Sequence, residues 1–285
     1  MKSIVDIGGS NIKFYTEQEG SNLVLINSLR TPKDPDLLLG IIVDHINHSD
    51  HDEFYVGLPG PVYGGESKIF LPPLDYFFDA SRLRSLISEK YLVIGNDCAI
   101  LHKIMDDNMT ELIYENRVSN SPFQGSICMT IGTSFGISGM TSSAGQVSLE
   151  MAHIPIKCIL GLAQLYTRDY RQLDLDANVR NMLNSKSLLA IYEETTSQQD
   201  QCPDTCSHVD LIRELIIGSS ILAAKLMGIS SYKIYIISGI HEILLNMIRS
   251  ELFHDKLMSK HSYIHSIRTY AQNHIEHNSF MRQTC

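Results

Sequence analysis

The chain has 285 residues, of which 44% are hydrophobic and 19% charged, a composition typical of a soluble globular protein with room for one large domain or two lobes. Its net charge of -9 and pI near 5.7, without a cluster of Lys and Arg, argue against a dedicated nucleic-acid binder. No apolar run reaches the roughly 18 residues of a membrane span, and Asp6 comes too early for a secretory signal, so we expect a cytoplasmic protein.

The first half of the chain has the pattern of an α/β lobe. Two apolar strands flank Gly8 and Gly9, and a third is predicted at residues 21–28, so the chain opens with an antiparallel meander. The remaining elements of this lobe alternate in type: a helix at 36–46, a strand at 54–58, a helix at 83–90, a strand at 91–95 and a helix at 98–105.

The second half begins after a polar stretch near residues 108–124 and repeats the strand-turn-strand theme. We expect two domains, residues 1–107 and residues 108–285. The elements predicted for the second are strands at 126–131 and 136–140, a helical region from about 160 to 192, a polar exposed interruption at 194–208, a long amphipathic helix at 209–227, a strand at 233–237 and a helix at 242–249.

The turn at Gly8-Gly9-Ser10 is the first candidate for chemistry. Glycines let backbone N–H groups approach phosphate oxygens closely and adopt positive φ, and Ser10 adds a hydroxyl. Asp6, at the end of the preceding strand, is a carboxylate of the kind that positions hydrated Mg²⁺. An ordinary tight hairpin is the alternative interpretation.

Asn96 and Asp97 stand where a predicted strand meets a predicted helix, at the open end of a sheet. Asp97 is either a helix N-cap or a base that accepts the proton of a substrate hydroxyl, with Asn96 binding a neighbouring hydroxyl, and the two roles are compatible.

Two further turns have a similar composition. Gly132, Thr133, Ser134 and Gly136 form a glycine and hydroxyl turn between strands, which suits the far side of a polyphosphate or a plain hairpin equally. Gly239 follows the strand at 233–237 at a strand-to-helix turn that could admit an adenine base, although one glycine at such a turn is ordinary.

Glu150 and His153 are three residues apart and share one face if the backbone there is helical. Such a pair can grip vicinal hydroxyls of a sugar, while a surface Glu and a core His are the simpler explanation. Cys202, Cys206 and His208 have spacing that could ligate zinc, but no fourth ligand is evident and the stretch reads as a polar loop.

Taken in order, these segments resemble the ROK family (repressors, open reading frames and kinases) of bacterial sugar kinases, within the actin, hexokinase and Hsp70 superfamily. The residues that carry the resemblance are the first phosphate motif at Asp6-Ile7-Gly8-Gly9-Ser10, the segment Gly57-Leu58-Pro59-Gly60-Pro61-Val62, the pair Asn96-Asp97, the second phosphate motif at Gly132-Thr133 with Gly136, and Glu150 with His153. It covers residues 1 to about 248.

The resemblance implies a two-lobed, actin-like (ribonuclease H-like) α/β fold with duplicated mixed-sheet cores and an interlobe cleft. It implies a glucokinase-like or N-acetyl-amino-sugar kinase activity with ATP and Mg²⁺, in a homodimer of the kind typical of the family. The implied roles are Asp97 as base, a sugar site at Asn96, Glu150 and His153, magnesium held through water by Asp6, and nucleotide contacts from Asp6, Gly8, Gly9, Ser10, Asn11, Gly132, Thr133, Ser134, Gly136 and Gly239.

The chain departs from the family mainly on the sugar side. His153 is followed by Ile154-Pro155-Ile156-Lys157-Cys158 instead of the family's cysteine cluster, so we expect no structural zinc. Ala152 and Ser134 stand where the family has Gly, and residues 70–74 lack the family's sugar-contacting Asn. A catalytically degenerate sugar-binding sensor, or a kinase of the same superfamily acting on a non-sugar acceptor, are therefore the alternative functions.

Overall fold

The computed structural model describes residues 2–17, 23–62, 67–87, 89–105, 110–115, 124–132, 135–141, 145–149, 151–163, 174–197, 203–248 and 264–271. The chain separates into two compact units, one of residues 1–109 and one of residues 110–272. The predicted domain boundary between residues 107 and 108 lies outside the described residues.

The first unit is built on a five-stranded mixed sheet with the order β3-β2-β1-β4-β7. The predicted meander is confirmed, because β1 and β2 pair antiparallel, as do β2 and β3, whereas β1, β4 and β7 run parallel. The strands are β1 (Lys2–Ile7), β2 (Asn11–Glu17), β3 (Leu23–Arg30), β4 (Glu53–Leu58) and β7 (Tyr91–Asn96).

Helices cover both faces of this sheet. Helix α1 (Pro35–Asn47) begins after Asp34, whose side chain accepts hydrogen bonds from the backbone N–H groups of Asp36 and Leu37, and it buries four apolar residues against one face. Helix α3 (Asp97–Ile104) packs on the other face, where Ile100 meets a small cluster of Ile4, Tyr15 and Tyr55.

The helix predicted at residues 83–90 is displaced. The observed helix α2 (Ala80–Leu86) begins earlier because the Asp79 carboxylate accepts the backbone N–H of Arg82 and caps it. Before it lies a hairpin that the sequence did not predict, β5 (Lys68–Leu71) and β6 (Tyr76–Asp79). Four residues are too few for alternation to be distinguished from a loop.

The second unit contains a six-stranded mixed sheet with the order β11-β10-β9-β12-β13-β8. Three of its strands match the predictions: β9 (Gly125–Ile131), β10 (Phe135–Thr141) and β12 (Tyr232–Ser238). Three were not predicted: β8 (Glu111–Glu115), which falls in the stretch expected to be polar connection, β11 (Gly145–Leu149) and β13 (Ile264–Ala271).

The helical region predicted at residues 160–192 is wrong as one element. Helix α4 (Ile156–Ala163) is separate from α5 (Val179–Met182) and α6 (Ser185–Ser197). Helix α6 starts anew because the Asn184 carboxamide oxygen accepts the backbone N–H of Ser187. Between α4 and α5, the carbonyls of residues 175 and 177 accept backbone hydrogen bonds from Lys157 and Ile156, respectively, instead of forming a helix.

Two more helices complete the second unit. Helix α7 (Pro203–Leu226) is buried over much of its length and α8 (His241–Ile248) follows β12. The interruption predicted at 194–208 is too long, because α6 extends to Ser197 and α7 starts at Pro203, where proline is tolerated in a first helical turn. None of the described helices has the length and apolar character that a membrane-spanning helix needs.

Candidate active site

The turn between β1 and β2 has the geometry of an anion cradle. The backbone N–H of Gly8 donates to the carbonyl of Asn11 at 2.9 Å, which leaves Gly9 and Ser10 at the exposed tip. Among the described residues, no acceptor is found for the N–H groups of Gly9 and Ser10. Exposed backbone donors of this kind are what a phosphate oxygen binds.

Thr31, the residue directly after β3, is hydrogen-bonded to this turn. Its hydroxyl donates to the carbonyl of Gly8 at 2.8 Å, and its backbone N–H donates to the carbonyl of Ser10 at 3.0 Å. Thr31 itself is buried, whereas Ser10 is exposed. The carbonyls of Gly8 and Ser10 are therefore occupied, while the backbone N–H groups of Gly9 and Ser10 have no backbone acceptor among the described residues. Sequence reasoning missed Thr31, because no pattern connects it with a turn more than twenty residues earlier.

The expectation that Gly8 and Gly9 adopt positive φ is wrong. Neither Gly8 nor Gly9 has φ in the left-handed range, where Gly60 and Gly228 are found. Gly9 is required by close packing instead, since a Cβ there would lie 2.8 Å from the Cβ of Pro73. Pro73 belongs to the turn of the β5–β6 hairpin, which thus lies against the phosphate turn.

Asn96 and Asp97 lie at the junction of β7 and α3, as predicted, but the capping roles differ. Asn96 is the N-cap: its side-chain oxygen accepts the backbone N–H of Ala99 at 3.2 Å. Its amide group donates to the carbonyl of Gly60 at 2.9 Å, and the side chain is buried. Asp97 is the first helical residue, and its carboxylate accepts the backbone N–H of Cys98 at 2.7 Å.

Asp6 and Asp97 are both adjacent to Gly57, the first through strand register and the second through packing of α3. Asp6 on β1 pairs with Gly57 on β4, and Gly57 pairs with Gly95 on β7. A Cβ on Gly57 would lie 2.9 Å from the Cα of Asp97, so the start of α3 rests directly on this glycine. The two carboxylate residues are therefore neighbours of one glycine at the carboxyl ends of three parallel strands, where α/β proteins bind ligands.

The second glycine turn joins β9 and β10, which pair antiparallel from Ile131 and Phe135 onward. Thr133 and Ser134 lie outside the described residues. The carbonyl of Gly132 accepts both the backbone N–H and the hydroxyl of Ser185, at 2.7 and 2.8 Å. Gly136 lies within β10. A Cβ on Gly132 would meet nothing within 4 Å, so close packing does not demand a glycine there.

Gly239 lies in the turn between β12 and α8, as predicted. Ser238, just before it, is fully buried; its hydroxyl donates to the carbonyl of Ile131 at 2.8 Å and accepts the backbone N–H of Ile240 at 3.2 Å. Because β9 and β12 are parallel neighbours, Ser238 ties the strand end before the Gly132 turn to the turn at Gly239. The sequence did not single out Ser238.

The condition for Glu150 and His153 to share a face, a helical backbone, is not met at residues 151–154. Residues 151–154 form a turn closed by a hydrogen bond from the N–H of Ile154 to the carbonyl of Met151 at 3.1 Å. His153 is exposed at this turn, and Glu150 lies outside the described residues. The turn is held by α5, since Arg180 donates its backbone N–H to the carbonyl of Ala152 at 3.0 Å.

Within the described ranges, no group of three or more His, Cys, Asp or Glu residues has an arrangement that could hold a metal ion. The stretch around Cys206 and His208 is not a polar loop, because both residues belong to α7; Cys202 lies outside the described residues.

Solved structures share this fold. A glucokinase from an Antarctic psychrotroph is 16% identical with a TM-score of 0.61, covering 95% of this chain and 94% of its own. The glucokinase of Balamuthia mandrillaris in complex with glucose is 12% identical with a TM-score of 0.59, covering 95% and 90%. A ROK family glucokinase from Streptomyces griseus in complex with glucose and AMPPNP is 17% identical with a TM-score of 0.50, covering 86% of each chain.

The chain has the α/β fold of these sugar kinases. No protein-family model and no curated protein matches its sequence. The predicted α/β fold with a mixed sheet in each unit is confirmed by the strand orders and by the likeness to these structures. At these identities the likeness establishes the fold.

Proposed function

We propose that the protein is an ATP-dependent sugar kinase that transfers the γ-phosphoryl group to a hydroxyl of a hexose or an N-acetyl amino sugar. The observation that carries the proposal is the placement of Asp97 over Gly57, whose register partner on β1 is Asp6, at the strand ends where the phosphate turn begins. Two carboxylates beside exposed backbone donors are the components that phosphoryl transfer needs. Similar structures described as glucokinases, one with glucose and AMPPNP bound, support the same function.

We propose nucleotide contacts for the first turn, in the first unit, and for the second turn, in the second unit, each argued from its own residues. The N–H groups of Gly9 and Ser10 would bind phosphate oxygens, with Gly8 and Asn11 shaping the turn. Asp6 would hold Mg²⁺ through water, and the ion would neutralise charge on the phosphates. In the other unit, Gly132, Thr133, Ser134 and Gly136 would contact the phosphates and Gly239 the adenosine.

The acceptor side is centred on Asp97. Its carboxylate would take the proton of the attacking hydroxyl while that oxygen bonds to the γ-phosphorus and the bond to the β-phosphate oxygen breaks, releasing ADP. Asn96, Glu150 and His153 would bind neighbouring hydroxyls. Asn96 already uses its amide oxygen and one amide hydrogen within the protein, so the second amide hydrogen is what it can offer a sugar.

One observation favours a second candidate, a catalytically degenerate sugar-binding sensor. His153 is exposed at its turn, and the residues beside it differ from the family motif, so the sugar-binding residues depart from that motif more than the phosphate-binding residues do. A sensor would bind sugar without turning over ATP. A kinase for a non-sugar acceptor would turn over ATP only with other alcohols.

A coupled ADP-release assay with Mg-ATP tests these functions. The acceptors are glucose, mannose, fructose, N-acetylglucosamine and N-acetylmannosamine, and sugar binding is measured in parallel by calorimetry. We expect turnover with at least one sugar and a loss of about 100-fold or more in kcat for Asp97→Asn, with sugar affinity retained. The matched control is Asp50→Asn, an exposed carboxylate beyond α1 that we expect to leave turnover unchanged.

The outcomes separate the candidates. Folded protein that binds a sugar but releases no ADP would favour the sensor. ADP release confined to non-sugar alcohols would change the acceptor class. Near wild-type turnover in Asp97→Asn would refute the assignment of Asp97 as base.

A further inference from the structure

The proline turn of the β5–β6 hairpin touches both sides of the candidate active site. A Cβ on Gly9, in the phosphate turn, would lie 2.8 Å from the Cβ of Pro73. A Cβ on Gly60 would lie 2.6 Å from the Cδ of Pro72. The carbonyl of Gly60 in turn accepts the amide of Asn96, the N-cap of the helix that begins with Asp97.

This hairpin is built as a rigid support. Ile69, Leu71 and Phe78 are buried in the main apolar cluster of the first unit, so the two short strands are anchored in its core. The turn between them is closed by backbone hydrogen bonds to the carbonyl of Leu71 from Leu74 at 3.0 Å and from residue 75 at 2.9 Å. Two successive prolines fix two φ angles of that turn.

The hairpin is also tied to the other support of the phosphate turn. The hydroxyl of Tyr76 donates to the carbonyl of Pro32 at 3.2 Å. Pro32 follows Thr31, which binds the carbonyls of Gly8 and Ser10. The phosphate turn is therefore held between Thr31 on one side and Pro73 on the other, and these two contacts belong to one connected structure.

We propose that Pro72 and Pro73 are positioning residues that set the separation between the phosphate turn and Asp97. Pro73 limits how far the turn at Gly9 can move, and Pro72 does the same for Gly60 and, through it, for Asn96. Both prolines are exposed on their other side, so they do not serve to fill the core. The inference rests on the proposed kinase function, because it concerns the alignment of phosphoryl donor and base.

The test is a double-mutant cycle between positions 9 and 73. Gly9→Ala adds a Cβ in contact with Pro73 without left-handed backbone strain, and it should displace the turn by a large fraction of an ångström. Because a misplacement of about 1 Å can cost about 100-fold in rate, we expect kcat/KM for ATP to fall by about that factor. The KM for ATP should rise while the KM for the sugar stays unchanged.

The second substitution distinguishes the contact from a general loss of structure. Pro73→Gly removes the Cβ that Gly9→Ala would strike, so the pair Gly9→Ala with Pro73→Gly should recover the kcat/KM lost through Gly9→Ala up to the level of Pro73→Gly alone, which lies below wild type because the restraint on the turn is gone. Pro73→Ala keeps a Cβ, so the pair Gly9→Ala with Pro73→Ala should recover none of it. A merely structural role would lower the active fraction and hence kcat in all variants without raising the KM for ATP.

Gly40→Ala is the neutral control, because a Cβ there meets nothing within 4 Å and the residue is exposed on α1. Wild-type turnover is measured before that of any variant. Its absence would refute the proposed function and this inference together. Wild-type turnover with Gly9→Ala as active as Gly40→Ala would refute the inference alone. Equal rescue by Pro73→Gly and Pro73→Ala would also overturn it.

Discussion

Replacing Gly57 with Ala tests whether the position of Asp97 controls turnover. The new Cβ would lie 2.9 Å from the Cα of Asp97 and 3.7 Å from its backbone nitrogen. Carbon atoms pack at about 3.5–4.0 Å, so Asp97 would have to move by roughly 0.6–1.1 Å. The atom in contact belongs to the backbone of the first residue of α3, and no side-chain rotation can relieve it.

This displacement gives the expected size of the effect. A misplacement of about 1 Å costs about 100-fold in rate when the moved group takes part in the reaction, so we expect kcat to fall by about that factor. Overpacking of this kind also destabilises a protein by about 1–3 kcal/mol, which is within the roughly 5–15 kcal/mol of a typical domain. The variant should therefore be folded and slow.

Gly95→Ala is the matched comparison. Gly95 is the register partner of Gly57 on β7 and also lies beneath α3, but a Cβ there would meet only side-chain atoms, Cδ1 and Cγ1 of Ile100 at 3.1 and 3.2 Å. That side chain can rotate, so turnover should stay near wild type. The assay is steady-state ADP release, with urea unfolding of each variant. If Gly57→Ala and Gly95→Ala had the same kcat, the reasoning that places Asp97 over Gly57 would be refuted.

Two predictions concern stability. Asn96→Ala should lower the free energy of unfolding by about 2 kcal/mol, since it removes the helix cap and the bond to Gly60, whereas Asn96→Ser should keep the cap and lose about half as much; equal losses in urea unfolding would contradict this. Burial lowers the pKa of His102 to about 3, so the unfolded chain takes up a proton near pH 6.5 that the folded protein does not. Stability should therefore fall between about pH 7 and pH 4, by at most about 1.4 kcal/mol per pH unit from this group. His102→Gln should show a shallower pH dependence, and an unchanged slope would rule out this contribution.

Much of the local structure follows from the sequence. The strand-turn-strand start, the strand into helix at Asn96 and Asp97, and the turn at Gly239 were all predicted, because alternating side chains and strong local breakers act over a few residues. The short or late strands β5, β6, β8, β11 and β13 were missed, since their positions depend on partners elsewhere in the sheets. The helical backbone on which Glu150 and His153 would share a face is absent at residues 151–154 for the same reason, as that turn bonds to α5.

The sequence by itself determined the types of residue at the candidate site: glycines and a hydroxyl in the first turn, carboxylates at Asp6 and Asp97, and prolines at residues 72 and 73. Only the tertiary structure decided what those residues do to one another. Asp97 packs directly against Gly57, and residue 9 must be glycine because a Cβ there would collide with Pro73. These contacts join residues about 40 to 65 positions apart, and they depend on sheet order and strand register, which local sequence patterns do not encode.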